Sequence, residues 1–207
     1  IPPQGGLSII FTRLLEKIDF DGNIYLINDY KYELSLEEIR KTDSNLTFEK
    51  YFEAIKDIFQ DGDIIVGYSL GCIYSLLIAE ELEKSKSLDK CILIDGPLNF
   101  VNHESVSRKE IVKEIKSDFQ NDTYTMDNLK HDFSEEYIEK IIEICLVNSQ
   151  WDFKTPKIQS PVIYLSATTD LKRELDEISS KNEYVEIEST HKSIISEDAD
   201  KIAKYFK

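Results

Sequence analysis

The stretch Asp63–Leu82, "DIIVGYSLGCIYSLLIAEEL", constrains this chain more than any other. A short apolar run reads as a strand. It passes through Gly67-Tyr68-Ser69-Leu70-Gly71 straight into a helical pattern, with no linker between. Gly67 and Gly71 stand at the two positions where a side chain would block a sharp strand-to-helix turn. Such a turn forces its central residue into strained backbone geometry and lifts that side chain above the sheet. A serine there is costly unless its hydroxyl is used. A hydroxyl is a poor nucleophile until a base takes its proton, so Ser69 is read as a nucleophile that needs a histidine. The Leu70 N–H, at the start of the helix, points to the same spot and can donate to an oxyanion, helped by the helix dipole.

The rest of the chain alternates apolar runs with amphipathic stretches. That order predicts one α/β domain over residues 1–207, a mostly parallel sheet with helices on both faces. "LSIIFTRLLEKI" reads as a helix with Ile10, Leu14, Leu15 and Ile18 on one face. "NIYLIN" reads as a short strand and "FEKYFEAIKDIF" as a helix. "KCILID" is a buried strand closed by Gly96-Pro97, "PVIYLS" and "YVEIES" are strands, and "LKRELDEIS" and "SEDADKIAKYF" are helices. Between two of these strands, about 99–159, the sequence is charged and helical with no convincing strand. An insertion there is expected to be a lid or substrate-binding subdomain rather than a plain covering layer.

Three histidines could serve Ser69. His103 and His131 lie in the charged insertion. His191 follows the last strand and precedes the last helix. Loops at the carboxyl ends of parallel strands converge on one edge, so His191 is the expected base. It needs an acid to hold its tautomer and its charged form. Asp95 ends a buried strand and is favoured. Asp170, a few residues past "PVIYLS", is the alternative, with helix N-capping as its competing role. A second oxyanion donor is expected from "IPPQGG". Pro2 and Pro3 have no N–H, so Gln4 offers the first donor after the rigid pair, and Gly5-Gly6 allow close backbone approach.

Composition excludes other classes. A formal net charge of −15 opposes nucleic-acid binding. No apolar run is long enough to span a bilayer and no signal peptide is visible, so a cytoplasmic location is expected. The missing initiator Met suggests a chain excised or trimmed from something longer. Cys72, Cys91 and Cys145 sit in apolar patterns without metal-ligand spacing and read as buried thiols in a reducing compartment. Cys72, one helical turn past Ser69, reads as a small hydrophobe. Trp151 is a candidate lining residue for an acyl pocket. No metal site is expected.

Four blocks together resemble the thioesterase domains of nonribosomal peptide and polyketide synthases, in the α/β-hydrolase superfamily: "IPPQGG", "YFEAIKDIFQDGDIIVGYSLG", "CILIDGPL" and "THKSII". The resemblance implies a triad of Ser69, Asp95 and His191 and an oxyanion hole of the Gln4 and Leu70 N–H groups. It implies an acyl or peptidyl chain carried on the phosphopantetheine of a carrier protein, no bound cofactor, and release by hydrolysis or cyclisation. The chain departs from that pattern in three places. The strand usually found before the Pro-Pro loop is missing at Ile1. Ser189-Thr190 stand where a glycine usually precedes the histidine. Free-standing editing thioesterases place the acid after the later strand, which keeps Asp170 open. A free-standing type II editing enzyme, a small-ester or lipid hydrolase, and a catalytically dead binding module are the alternatives. Carrier proteins are acidic, as is this chain, so Arg108, Lys109 and Lys113 are expected to border a local docking face.

Overall fold

The computed structural model describes residues 1–102, 106–121, 134–167 and 171–207. Among these, six strands follow in order: β1 (Asp63–Tyr68), β2 (Leu88–Ile94), β3 (Val101–Asn102), β4 (Trp151–Asp152), β5 (Val162–Ser166) and β6 (Asn182–Glu186). The helices are α1 (Thr12–Leu15), α2 (Leu36–Ile39), α3 (Ser44–Lys56), α4 (Gly71–Leu82), α5 (Arg108–Asn121), α6 (Glu135–Asn148), α7 (Lys172–Ile178) and α8 (Ala199–Ala203). Strands β1-β2-β5-β6 form one parallel sheet in that order, and β3 pairs antiparallel with β4 in a separate two-residue ladder.

Register is what makes a site possible. Tyr68 lies opposite Ile94, Ile94 opposite Leu165, and Leu165 opposite Val185. The four carboxyl ends are therefore nearly level, and the residues after them, Ser69 and Asp95 among them, share one edge. Alternation along the strands feeds two cores, as a period of two requires. Ile65, Cys91, Leu93, Val162 and Tyr164 point to the face covered by α3, α4 and α7. Tyr68, Ile92, Ile94 and Leu165 point to the opposite face, which Phe11, Leu14, Ile202 and Phe206 cover. The expected sandwich of helices about a parallel sheet is present.

Three expectations on elements need correction. "NIYLIN" is not a strand. Its residues have no ladder pairing, and Ile24, Tyr25 and Leu26 are about half exposed. They line an apolar groove of about 190 Å³ with Ile64 and Val66 at the outer edge of β1. Strand propensity needs a neighbouring edge in register to become a strand, and here the groove lies between the two. Ile1 takes up part of that edge, its ammonium donating to Val66 O at 2.6 Å. The first helical stretch is a 3₁₀ turn, Ser8–Phe11, followed by the single turn of α1. The 99–159 insertion does contain strand, the short β3–β4 ladder that returns its two ends side by side. Among the described residues no helix is long and apolar enough to cross a membrane.

Candidate active site

The turn after β1 has the geometry that its glycines imply. Ser69 has φ +54°, in the left-handed region that costs a non-glycine residue about 1–2 kcal/mol. A Cβ on Gly67 would stand 2.5 Å from Gly71 O and 2.5 Å from Ser75 Oγ. A Cβ on Gly71 would meet the carbonyls of Ile1 and Pro2 at 2.5 and 2.6 Å. The second contact matters most, because it seats the Pro-Pro segment against the start of α4, two residues past the serine. The strain at Ser69 is held by its neighbours: its N–H donates to Ile94 O at 3.0 Å, and its carbonyl accepts from Cys72 N–H at 2.9 Å.

Asp95 ends β2 beside this turn, also at positive φ, +45°. Its side chain is fully buried. One carboxylate oxygen accepts the Ala167 N–H at 2.7 Å, from the residue after β5, and the other stands 2.8 Å from His191 Nδ1. An ionised carboxylate can only accept, so its bond to Nδ1 requires the tautomer with the proton on that nitrogen, which leaves Nε2 with a free lone pair. The imidazole is otherwise 40% exposed. It stacks on the Tyr68 ring, with centroids 5.0 Å apart and planes 23° from parallel, and the Tyr68 hydroxyl donates to His191 O at 2.6 Å. The residue preceding Ser69 thus holds the histidine in place. Ser189 and Thr190, which replace the expected glycine, fasten the same loop. Ser189 Oγ donates to Asp198 at 2.7 Å, and Thr190 Oγ1 bonds Ser193 Oγ at 2.9 Å.

The Pro-Pro segment forms a tight turn. Gly6 N–H donates to Pro3 O at 2.8 Å, with Gly6 at φ +73°. In a trans peptide C=O and N–H point in opposite directions. Drawing Pro3 O into the turn therefore aims the Gln4 N–H away from it. Neither this N–H nor that of Leu70 is donated to an acceptor among the described residues. Leu70 is the N-cap of α4, at the end where helix geometry leaves donors unpaired.

A buried polar cluster under this loop was not legible in the sequence. Asp29 is 2% exposed and Lys31 0%. The Lys31 ammonium contacts Asp29 at 3.1 Å, Thr47 Oγ1 at 2.7 Å and Asn148 Oδ1 at 3.1 Å. Burial pulls the Lys31 pKa below its ordinary value, and the Asp29 charge works against that. Tyr51 OH also donates to Asp29, at 3.1 Å. "NDYKY" reads as an ordinary polar loop, and no pattern in it distinguishes a buried lysine from a solvated one.

The other candidates fall elsewhere. Trp151 lies in β4, its Nε1 donating to Asn99 O at 2.9 Å. It lines an open cavity of about 400 Å³ with Arg40, Ser44 and Val147, and that lining includes none of Ser69, Asp95 or His191. Asp170, His103 and His131 lie outside the described residues. Arg108 is engaged internally, pairing with Glu139 and, at 2.7 Å, with Glu143, while Lys109 and Lys113 are exposed. The thiols of Cys72 and Cys91 are buried and unoxidised, and burial pushes both above the usual thiol range. Cys145 is only partly buried, against the expectation for it. Among the described residues no cluster of three or more His, Cys, Asp or Glu side chains is arranged to hold a metal.

No protein-family model matches the chain, and no curated protein does. Solved structures match over nearly its whole length. The Vlm2 thioesterase domain superposes with TM-score 0.72 at 15% identity, covering 99% of this chain and 89% of that one. The thioesterase domain SrfTE, described in the cyclisation of the lipopeptide antibiotic surfactin, gives 0.68 at 14% identity, over 99% and 86%. BorB, the type II thioesterase of the borrelidin biosynthetic cluster, gives 0.73 at 15% identity, over 98% and 86%. At such identities the likeness is one of fold. The chain has the α/β-hydrolase architecture of these thioesterase domains.

Proposed function

We propose that this chain, built on the fold of the thioesterase domains above, is itself a serine thioesterase with Ser69, Asp95 and His191 as its triad. The observation that carries the reading is the buried Asp95 carboxylate 2.8 Å from His191 Nδ1, on an imidazole stacked against the residue next to Ser69. A carboxylate sealed from water, with one oxygen on Ala167 N–H and the other on an imidazole, has little use in a binding module. It is what a general base needs.

The chemistry follows from the atoms. Ser69 Oγ attacks the thioester carbonyl carbon while its proton passes to His191 Nε2. Asp95 stays ionised and stabilises the imidazolium. The carbonyl oxygen becomes an oxyanion held by the Leu70 and Gln4 N–H groups, each worth about 3–4 kcal/mol to the transition state. Collapse expels the thiolate, His191 returns the proton to it, and the acyl group is left as an ester on Ser69. Water or a nucleophile within the acyl chain then attacks that ester by the same route. The substrate class is an acyl or peptidyl chain on carrier-bound phosphopantetheine, with the 99–159 insertion as the lid above it. No bound cofactor is needed. Arg108 is occupied by Glu139 and Glu143, so the exposed Lys109 and Lys113 are left to meet an acidic carrier.

Intact-protein mass spectrometry after incubation with an acyl-loaded carrier tests this. The expected result is a mass increase equal to the acyl group, absent in Ser69→Ala. A chain that turns over oxygen esters well and ignores the loaded carrier is a small-ester or lipid hydrolase. Preference for short misprimed acyl groups, on carriers supplied in trans, marks the type II editing role. No acylation and no labelling by a fluorophosphonate would leave a binding module and end the proposal.

A further inference from the structure

The oxyanion loop is bolted from below by the insertion helix α6. Asn148, the last residue of α6, is 2% exposed and donates from Nδ2 to Gln4 O at 2.9 Å and to Asp29 Oδ2 at 3.2 Å. Its Oδ1 accepts from the buried Lys31 ammonium at 3.1 Å. One turn earlier, Cys145 O accepts from Gln4 Nε2 at 2.9 Å. On the other side of the turn, Gly5 O accepts the Tyr32 hydroxyl at 2.6 Å, and the Tyr32 ring stacks on Tyr137 of α6 with centroids 5.3 Å apart. Asp29 N–H donates to Gly6 O at 2.8 Å, and a Cβ on Gly6 would stand 2.4 Å from Asp29 Cβ. The loop therefore rests on Asp29 from beneath and is tied to α6 through both faces of Gln4.

We propose that Asn148, locked between Asp29 and Lys31, is a positioning residue that sets the direction of the Gln4 N–H donor and makes that donor depend on the seating of α6. The inference rests on the thioesterase reading above. An amide suits the place because it must do two opposite things. It donates to a carbonyl on the loop and accepts from an ammonium below, and no carboxylate or hydrocarbon of its shape does both. The buried ion pair fixes which end of the amide faces which way. Gln4 O then cannot rotate without stranding a buried donor, which costs more than an exposed bond would. The turn holds the Pro3–Gln4 peptide through Pro3 O, and Asn148 holds the next peptide through Gln4 O, so rotation about the Gln4 backbone, which would re-aim its N–H, is resisted from both sides. The helix that closes the insertion is thereby part of the oxyanion machinery without touching substrate.

Asn148→Asp is the test. It keeps shape and the acceptor for Lys31, and it replaces the donor to Gln4 O and to Asp29 Oδ2 with an acceptor. With a soluble acyl thioester, kcat is expected to fall about 10- to 100-fold, the range for a donor weakened rather than deleted, with KM within about twofold. An alkyl boronic acid, whose tetrahedral adduct on Ser69 places an oxygen in the same hole, should lose affinity by a similar factor. The pH profile of kcat/KM should keep its shape, because the Asp95–His191 pair is untouched. Ile178→Val, a buried truncation in α7, controls for lost stability and should leave kcat unchanged. If Asn148→Asp does not fold, Tyr32→Phe reads the same loop through a half-buried ring and should show the same signature at about 3- to 10-fold. Wild-type kcat and boronate affinity in the folded variant would overturn the inference alone. A wild-type chain that binds no boronate and forms no acyl-enzyme would overturn the thioesterase reading with it.

Discussion

Replacing Gly96 with alanine adds one methyl group where the structure has no room for it. That Cβ would stand 2.1 Å from Ser69 O, 2.4 Å from Cys72 Sγ and 2.7 Å from Cys72 Cβ. A carbon and a carbonyl oxygen settle at roughly 3.3 Å, so one backbone must retreat by about 1 Å. Neither is free to do so. Asp95 N–H donates to Leu165 O at 2.9 Å, Gly96 O accepts the Tyr164 hydroxyl at 2.6 Å, and Ser69 is bonded on both sides. Overpacking a tight site costs about 1–3 kcal/mol and sometimes more. With a backbone carbonyl as the obstacle, the upper end is expected, about 3 kcal/mol. For a domain of this length that lowers Tm by about 6–12 °C. The functional cost should exceed the thermal one, since a shift of about 1 Å in a nucleophile can cost 10²-fold in rate. Thermal melting and the rate of fluorophosphonate labelling of Ser69 read the two effects on one sample. Adding Cys72→Ala removes only the sulfur clash. It should restore part of the Tm and little of the labelling rate. A Gly96→Ala protein that melts within about 2 °C of wild type and labels at the wild-type rate would refute the claim that Gly96 and Ser69 pack backbone against backbone.

Other outcomes follow from the same contacts. Asp95→Asn keeps an acceptor for Ala167 N–H but presents an amide to His191; acylation from a thioester should fall about 10³- to 10⁴-fold, read by single-turnover mass spectrometry. Tyr68→Phe keeps the ring stacked on His191 and removes its 2.6 Å bond to the His191 carbonyl, which should cost about 1 kcal/mol of stability in urea denaturation. Hydrogen bonds from Arg40, and then Arg108, hold the Glu143 carboxyl below its ordinary pKa. A depressed carboxylate stabilises the fold above its unfolded pKa and loses that contribution as pH falls through the folded value. Glu143→Gln should therefore be less stable at neutral pH by about 1 kcal/mol, and the gap should close as pH drops below about 4, in denaturation midpoints measured across pH.

The turn at the centre of the candidate site was legible because its constraint is local. Gly67, Ser69 and Gly71 lie within five consecutive residues, and their steric logic needs only the bond lengths of one turn. The period-two strands were legible for the same reason. "NIYLIN" misled because a β-branched run specifies a strand only when an edge meets it, and the edge is not in the run. Lys31 was invisible because its composition signal is that of any polar loop. Its burial depends on Thr47 and Asn148, 16 and 117 positions away.

What the amino-acid order determined by itself is a parallel α/β domain with a strained serine at a strand-to-helix turn, since sterics within a few residues leave one way to build it. What only the tertiary structure decided is who meets whom across the chain. It chose Asp95 as the partner of His191 over a separation of 96 residues, Tyr68 as the plate behind the imidazole, and Asn148 as the support of Gln4, 144 residues distant. Such meetings depend on strand register and on the packing of whole elements. Those are settled by the sum of buried contacts, and no short stretch of sequence carries that sum.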